Sequence, residues 1–142
     1  DVIHNNNIHT KLIEYCKTYD CELALRGELA TKGSGNKLNP DISDKLKVTF
    51  FGIDDLSNGF SKRLNYSDTH NLKTVCDELE LEYTEELFSG VYSYDDLIKL
   101  GDDYFNHMIE TQNKYVEGIV IRTKYTNDLS VKYLSSIYDS KK

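Results

Sequence analysis

Val116-Glu117-Gly118-Ile119-Val120-Ile121-Arg122, followed beyond Thr126-Asn127-Asp128 by Leu129-Ser130-Val131-Lys132-Tyr133-Leu134, decides the fold class. Both stretches are short and rich in β-branched and aromatic residues. The turn-forming residues between them give the spacing of a hairpin, so they read as two antiparallel strands. Upstream, Leu46-Lys47-Val48-Thr49-Phe50-Phe51-Gly52-Ile53 has the same composition and predicts another strand. Leu23-Ala24-Leu25-Arg26-Gly27-Glu28-Leu29 predicts a fourth, running into the Gly-rich Lys32-Gly33-Ser34-Gly35-Asn36 and then Asn39-Pro40, which limits regular structure.

Helices lie between these strands without regular alternation. Ile8, Leu12, Tyr15, Cys16 and Tyr19 recur at helical spacing and predict a helix over 8–19. Leu72, Val75, Cys76 and Leu79 predict one over 70–81, capped by Asp68 or Thr69. Ser93 with Asp96 has the form of a capping box, opening a short helix over Leu97, Ile98 and Leu100 that Gly101 would end. Asn58-Gly59 marks a turn. A doubly wound sheet would need strict strand-helix alternation, so the expectation is α+β, a mainly antiparallel sheet flanked by helices.

At 142 residues and 39% hydrophobic, the chain has material for one core, read here as a single domain over 1–142. No apolar run is longer than a strand, which argues against a membrane role. Cys16, Cys21 and Cys76 are odd in number and lack metal-binding spacing, so they read as reduced thiols, and the expected compartment is the cytoplasm. His4, His9, His70 and His107 also lack ligand spacing and receive no role. The net charge of -7 argues against nonspecific nucleic-acid binding. Acid concentrates in residues 77–110, which read as a solvated face, whereas Arg26, Lys32, Lys37, Lys45, Lys47, Lys62 and Arg63 leave room for a basic substrate face.

Three strands carry a charge inside an apolar run: Glu28, Glu117 and Lys132. Each alone is most simply a solvent-facing residue. Together, two carboxylates and an ammonium at sheet ends have the chemistry to hold a nucleotide and a divalent metal: carboxylate oxygens suit Mg²⁺, and a lysine offsets charge on an attacked phosphate. An aromatic on a neighbouring strand would provide a stacking surface for the base. Phe50 and Phe51 point to opposite faces, and alternation leaves open which belongs to the core.

These stretches resemble, in order and spacing, motifs of the RNA-ligase branch of the covalent nucleotidyltransferases. Leu23–Leu29 with its Gly-rich loop resembles the third motif, and Val48–Asp54 the aromatic strand that follows it. Glu117–Arg122 resembles the fourth motif and Leu129–Ser135 the fifth, so the likeness covers residues 21–138. The resemblance implies an ATP-dependent ligase that passes AMP from a lysine to an RNA 5′-phosphate before a 3′-hydroxyl seals the strand. It implies ribose contact or site orientation for Glu28 and adenine stacking for Phe50 or Phe51. Glu117 would hold Mg²⁺, and Lys132 would contact the α-phosphate. Arg122 would meet RNA phosphate or pair with an acid.

Two departures qualify the likeness. No KxDG motif occurs among these residues, and the fifth motif offers Lys132 where many relatives carry two lysines. The expectation is therefore the C-terminal portion of an adenylation domain whose nucleophilic lysine lies upstream. The alternative is a nonenzymatic nucleotide- or RNA-binding module of the same fold, with a DNA ligase or capping guanylyltransferase as a third option.

Overall fold

A computed structural model describes residues 7–30 and 47–141. The Gly-rich loop with Asn39-Pro40, the Leu46 end of its strand, and Lys32, Lys37 and Lys45 lie outside them. The chain forms two compact units: the first contains residues 7–30, 47–85 and 124–127, the second residues 86–123 and 128–141. Both are α+β, and each has its own small antiparallel sheet.

The first unit begins with α1 (Ile8–Tyr19), whose predicted stripe packs inward at Ile8, Leu12, Tyr15 and Cys16, while Tyr19 stays exposed. The antiparallel strands β1 (Leu23–Ala30) and β2 (Lys47–Asp55) follow, and a short β3 (Lys62–Arg63), unforeseen in the sequence, pairs with the end of β2. The Asn58-Gly59 turn forms as expected, with Gly59 at φ 79°, where a residue without Cβ is favoured. Helix α2 (Leu72–Leu79) is capped by Asn71, not by Asp68 or Thr69. The Asn71 side chain accepts from the Thr74 amide at 2.9 Å, and Asp68 is engaged instead with the Asn65 amide. Tyr15, Leu23, Ile53 and Val75 form one buried cluster and Ile8, Phe50 and Cys76 a second. Val75 and Ile53 are fully enclosed, each contributing about 1.5–3 kcal/mol by leaving water.

The second unit is built on α3 (Tyr94–Gln112), opened by the expected capping box of Ser93 and Asp96. Gly101 does not end this helix; it lies buried within it. A Cβ there would fall 2.7 Å from the Tyr133 ring, so the absent side chain makes room for close packing against β5 (Ser130–Leu134). That strand pairs antiparallel with β4 (Gly118–Arg122), Val120 opposite Lys132 and Ile119 opposite Tyr133, giving the expected hairpin. A terminal helix, α4 (Ser136–Lys141), follows. Phe105, Met108 and Tyr138 are buried, with Phe105 stacked 5.8 Å from Tyr133. The acidic residues between 77 and 110 are exposed, as expected of a solvated face. Among the described residues, no helix is long and apolar enough to cross a membrane.

Candidate functional site

Glu117 stands one residue before β4, and its carbonyl accepts from the Ser135 amide at 2.9 Å, extending the β4–β5 pairing by one rung. Gly118 is what allows the close approach. A Cβ at this position would meet the Tyr133 carbonyl at 2.5 Å, so any larger residue would push the strands apart. The Lys132 ammonium donates to Glu117 Oε1 at 2.7 Å, joining two residues 15 positions apart. Both side chains remain about half exposed. An ion pair in that setting contributes little to stability and can exchange partners readily. Arg122 lies exposed at the far end of β4, opposite Ser130.

Next to Lys132 in sequence, Tyr133 turns to the opposite face and donates to Asp102 Oδ1 at 2.7 Å. That bond, together with partial burial, holds the phenol above its ordinary pKa. The inward-facing Tyr133 thus ties β5 to α3 and leaves Lys132 facing outward. In the sequence Tyr133 reads only as an aromatic of its strand.

In the first unit, Glu28 is exposed and lies opposite Thr49. The register explains the neighbouring phenylalanines: Arg26 pairs with Gly52 and Gly27 with Phe50, so Phe51 is the extra residue of a bulge in β2. Phe50 is buried in the core against Ile8 and Cys76. Phe51, half-buried, lies under the Arg26 guanidinium, whose carbon is 5.7 Å from the ring centroid. Arg26 is in turn clamped by Asp54, donating from Nε at 2.9 Å and Nη2 at 3.3 Å. Gly52 leaves space for that guanidinium, since a Cβ would sit 2.4 Å from Nη2.

Sequence reasoning missed two further arrangements. The Arg26–Asp54 clamp spans 28 residues and has no local signature beyond a charge in each strand. Tyr15 hydrogen-bonds His70 Nδ1 at 2.7 Å, and burial, helped by the nearby Glu78, pushes this phenol up to about 12. His70 therefore has a structural partner where no role was assigned. The three cysteines are free thiols, and burial pushes Cys21 and Cys76 each up to about 11. Such thiols remain protonated near neutrality. No protein-family model matches this chain, and neither a curated protein nor a solved structure matches it.

Proposed function

We propose that the chain supplies the nucleotide pocket of an ATP-dependent RNA ligase, which activates an RNA 5′-phosphate as an adenylate and joins it to a 3′-hydroxyl. The observation that supports this most is the 2.7 Å pairing of Glu117 with Lys132, the charged residues of two stretches that resemble the fourth and fifth ligase motifs. An exposed carboxylate beside an exposed ammonium suits a metal-nucleotide ligand, because each charge has an opposite partner on the incoming group.

The residues fit Mg²⁺ in one particular way. Among the described residues, no group of three or more His, Cys, Asp or Glu gathers around a common point. Glu117 would therefore hold the ion together with phosphate oxygens and water, a common arrangement for Mg²⁺. The bound ion would offset negative charge on the phosphates. Lys132, released from Glu117, places its ammonium at the α-phosphate, where charge develops in the transition state. Of the two phenylalanines in the first unit, Phe51 is the one left to meet a base, because Phe50 is committed to the core. The resemblance would give Glu28 a ribose contact and Arg122 an RNA phosphate, each within its own unit.

The lysine that would carry AMP has no KxDG context in these residues and would belong to a longer product of the same gene. The test is transfer from ATP labelled at the α-phosphate. The full gene product should acquire acid-stable label, and Glu117→Ala or Lys132→Ala should each lower it by about 100-fold or more, as for loss of one transition-state contact. A full product that takes no label refutes the ligase reading. The missing KxDG favours one second reading, a nonenzymatic nucleotide- or RNA-binding module, which ATP binding without label would select.

A further inference from the structure

The net charge of the chain is -7, and a stretch of surface among the described residues runs against that balance. It lies within the first unit, where residues 60–67 meet residues 124–127. Phe60, Tyr66 and Tyr125 are 68%, 40% and 64% exposed, values far from those of core aromatics. The same segments carry the exposed Lys62 and Arg63, and Lys124 sits 4.7 Å from the Tyr66 centroid and 5.8 Å from that of Tyr125.

The two segments are held together by their own backbone and amides. The Tyr66 amide donates to the Lys124 carbonyl at 3.1 Å, and Asn127 Nδ2 donates to the Arg63 carbonyl at 3.0 Å. Asn65 Nδ2 reaches Asn127 Oδ1 at 3.4 Å, and the Ser67 hydroxyl reaches the Tyr125 carbonyl at the same distance. The aromatics are thus displayed from a braced surface. Neighbouring acids are engaged: Asp54, opposite Arg63, accepts from Arg26, Asp55, opposite Lys62, accepts from the Ser57 amide at 2.9 Å, and Asp68 accepts from the Asn65 amide at 2.8 Å.

Exposed rings offer faces on which unpaired bases stack, and cations between them sit where the connecting phosphates would pass. Duplex RNA keeps its bases stacked on one another and cannot use the rings. We propose that Phe60, Lys62, Arg63, Tyr66, Lys124 and Tyr125 form a contact surface for single-stranded RNA. This surface is separate from the residues assigned to the nucleotide. It stands whether or not the chain belongs to a ligase, because it concerns binding of a strand and not adenylation.

The experiment is fluorescence anisotropy of a labelled twelve-nucleotide oligouridylate titrated with the full chain, across a salt series. Binding at low salt is expected. Tyr125→Ala or Tyr66→Ala should weaken it by about 5-fold or more, in line with the loss of one stacking contact. Lys62→Ala combined with Arg63→Ala should make the salt dependence shallower by about 1.4 in log-log slope, for two lost phosphate contacts. These side chains are exposed, and a circular-dichroism melt checks that each variant is folded. No binding at low salt overturns the proposal. So does binding that the folded variants leave unchanged, equal affinity for duplex RNA, or equal affinity for polyglutamate, which would indicate an acidic protein partner.

Discussion

The ion pairs Arg26–Asp54 in the first unit and Lys132–Glu117 in the second have similar lengths, 2.9 and 2.7 Å, but different surroundings. Asp54 keeps 12% of its side-chain surface in water and Arg26 33%, whereas Lys132 and Glu117 keep 47% and 49%. Arg26 is also gripped by two hydrogen bonds, laid over Gly52 and set against Phe51. Distance alone therefore does not separate a structural pair from one that can open for a ligand. Desolvation does, because a buried charge left alone is costly and an exposed one is rehydrated.

The largest effect expected from this difference is on stability. Asp54→Ala should destabilise the first unit by roughly 2 kcal/mol, less than for a fully buried pair because Arg26 retains part of its hydration. Urea unfolding followed by circular dichroism measures it, and a loss below about 0.5 kcal/mol would make the two pairs equivalent. Lys132→Ala should cost at most about 1 kcal/mol in the same assay, as for other exposed pairs. A larger loss would mean that Lys132 is structural.

The sequence made the four longer strands, the β4–β5 hairpin and α1 legible because their signals are local: β-branched composition, turn residues and helical spacing. Elements failed where a distant residue decides. Gly101 reads as a helix end by itself, yet the helix continues to Gln112 because Tyr133 occupies the space a side chain would fill. Asn71 replaces the expected caps because Asp68 is engaged elsewhere. In the candidate site, Glu117 and Lys132 were legible as charges interrupting apolar strands. Their mutual bond was not, since it depends on how closely Gly118 lets the strands approach. The choice between Phe50 and Phe51 was out of reach because alternation assumes a regular strand, and the bulge at Phe51 breaks it.

The smallest expected effect concerns pH and contrasts two tyrosines. Tyr15 is raised to about 12, mainly by burial, whereas the main cause for Tyr133 is its bond to Asp102. An unfolded tyrosine ionises near 10, so the stabilisation from a protonated Tyr15 is complete below about pH 10 and fades as pH rises toward 12. The tyrosinate absorbance titration of the wild type minus that of Tyr15→Phe should show a late component. A component centred near 10 would contradict the buried assignment.

Calorimetric titration of this chain with ATP and Mg²⁺, alongside Glu117→Ala and Lys132→Ala, tests whether the pair receives a metal-nucleotide. Binding at millimolar ATP or below is expected, at least tenfold weaker in both variants while their unfolding midpoints stay close to that of the wild type. No binding at millimolar ATP, or equal binding by all three proteins, would contradict it.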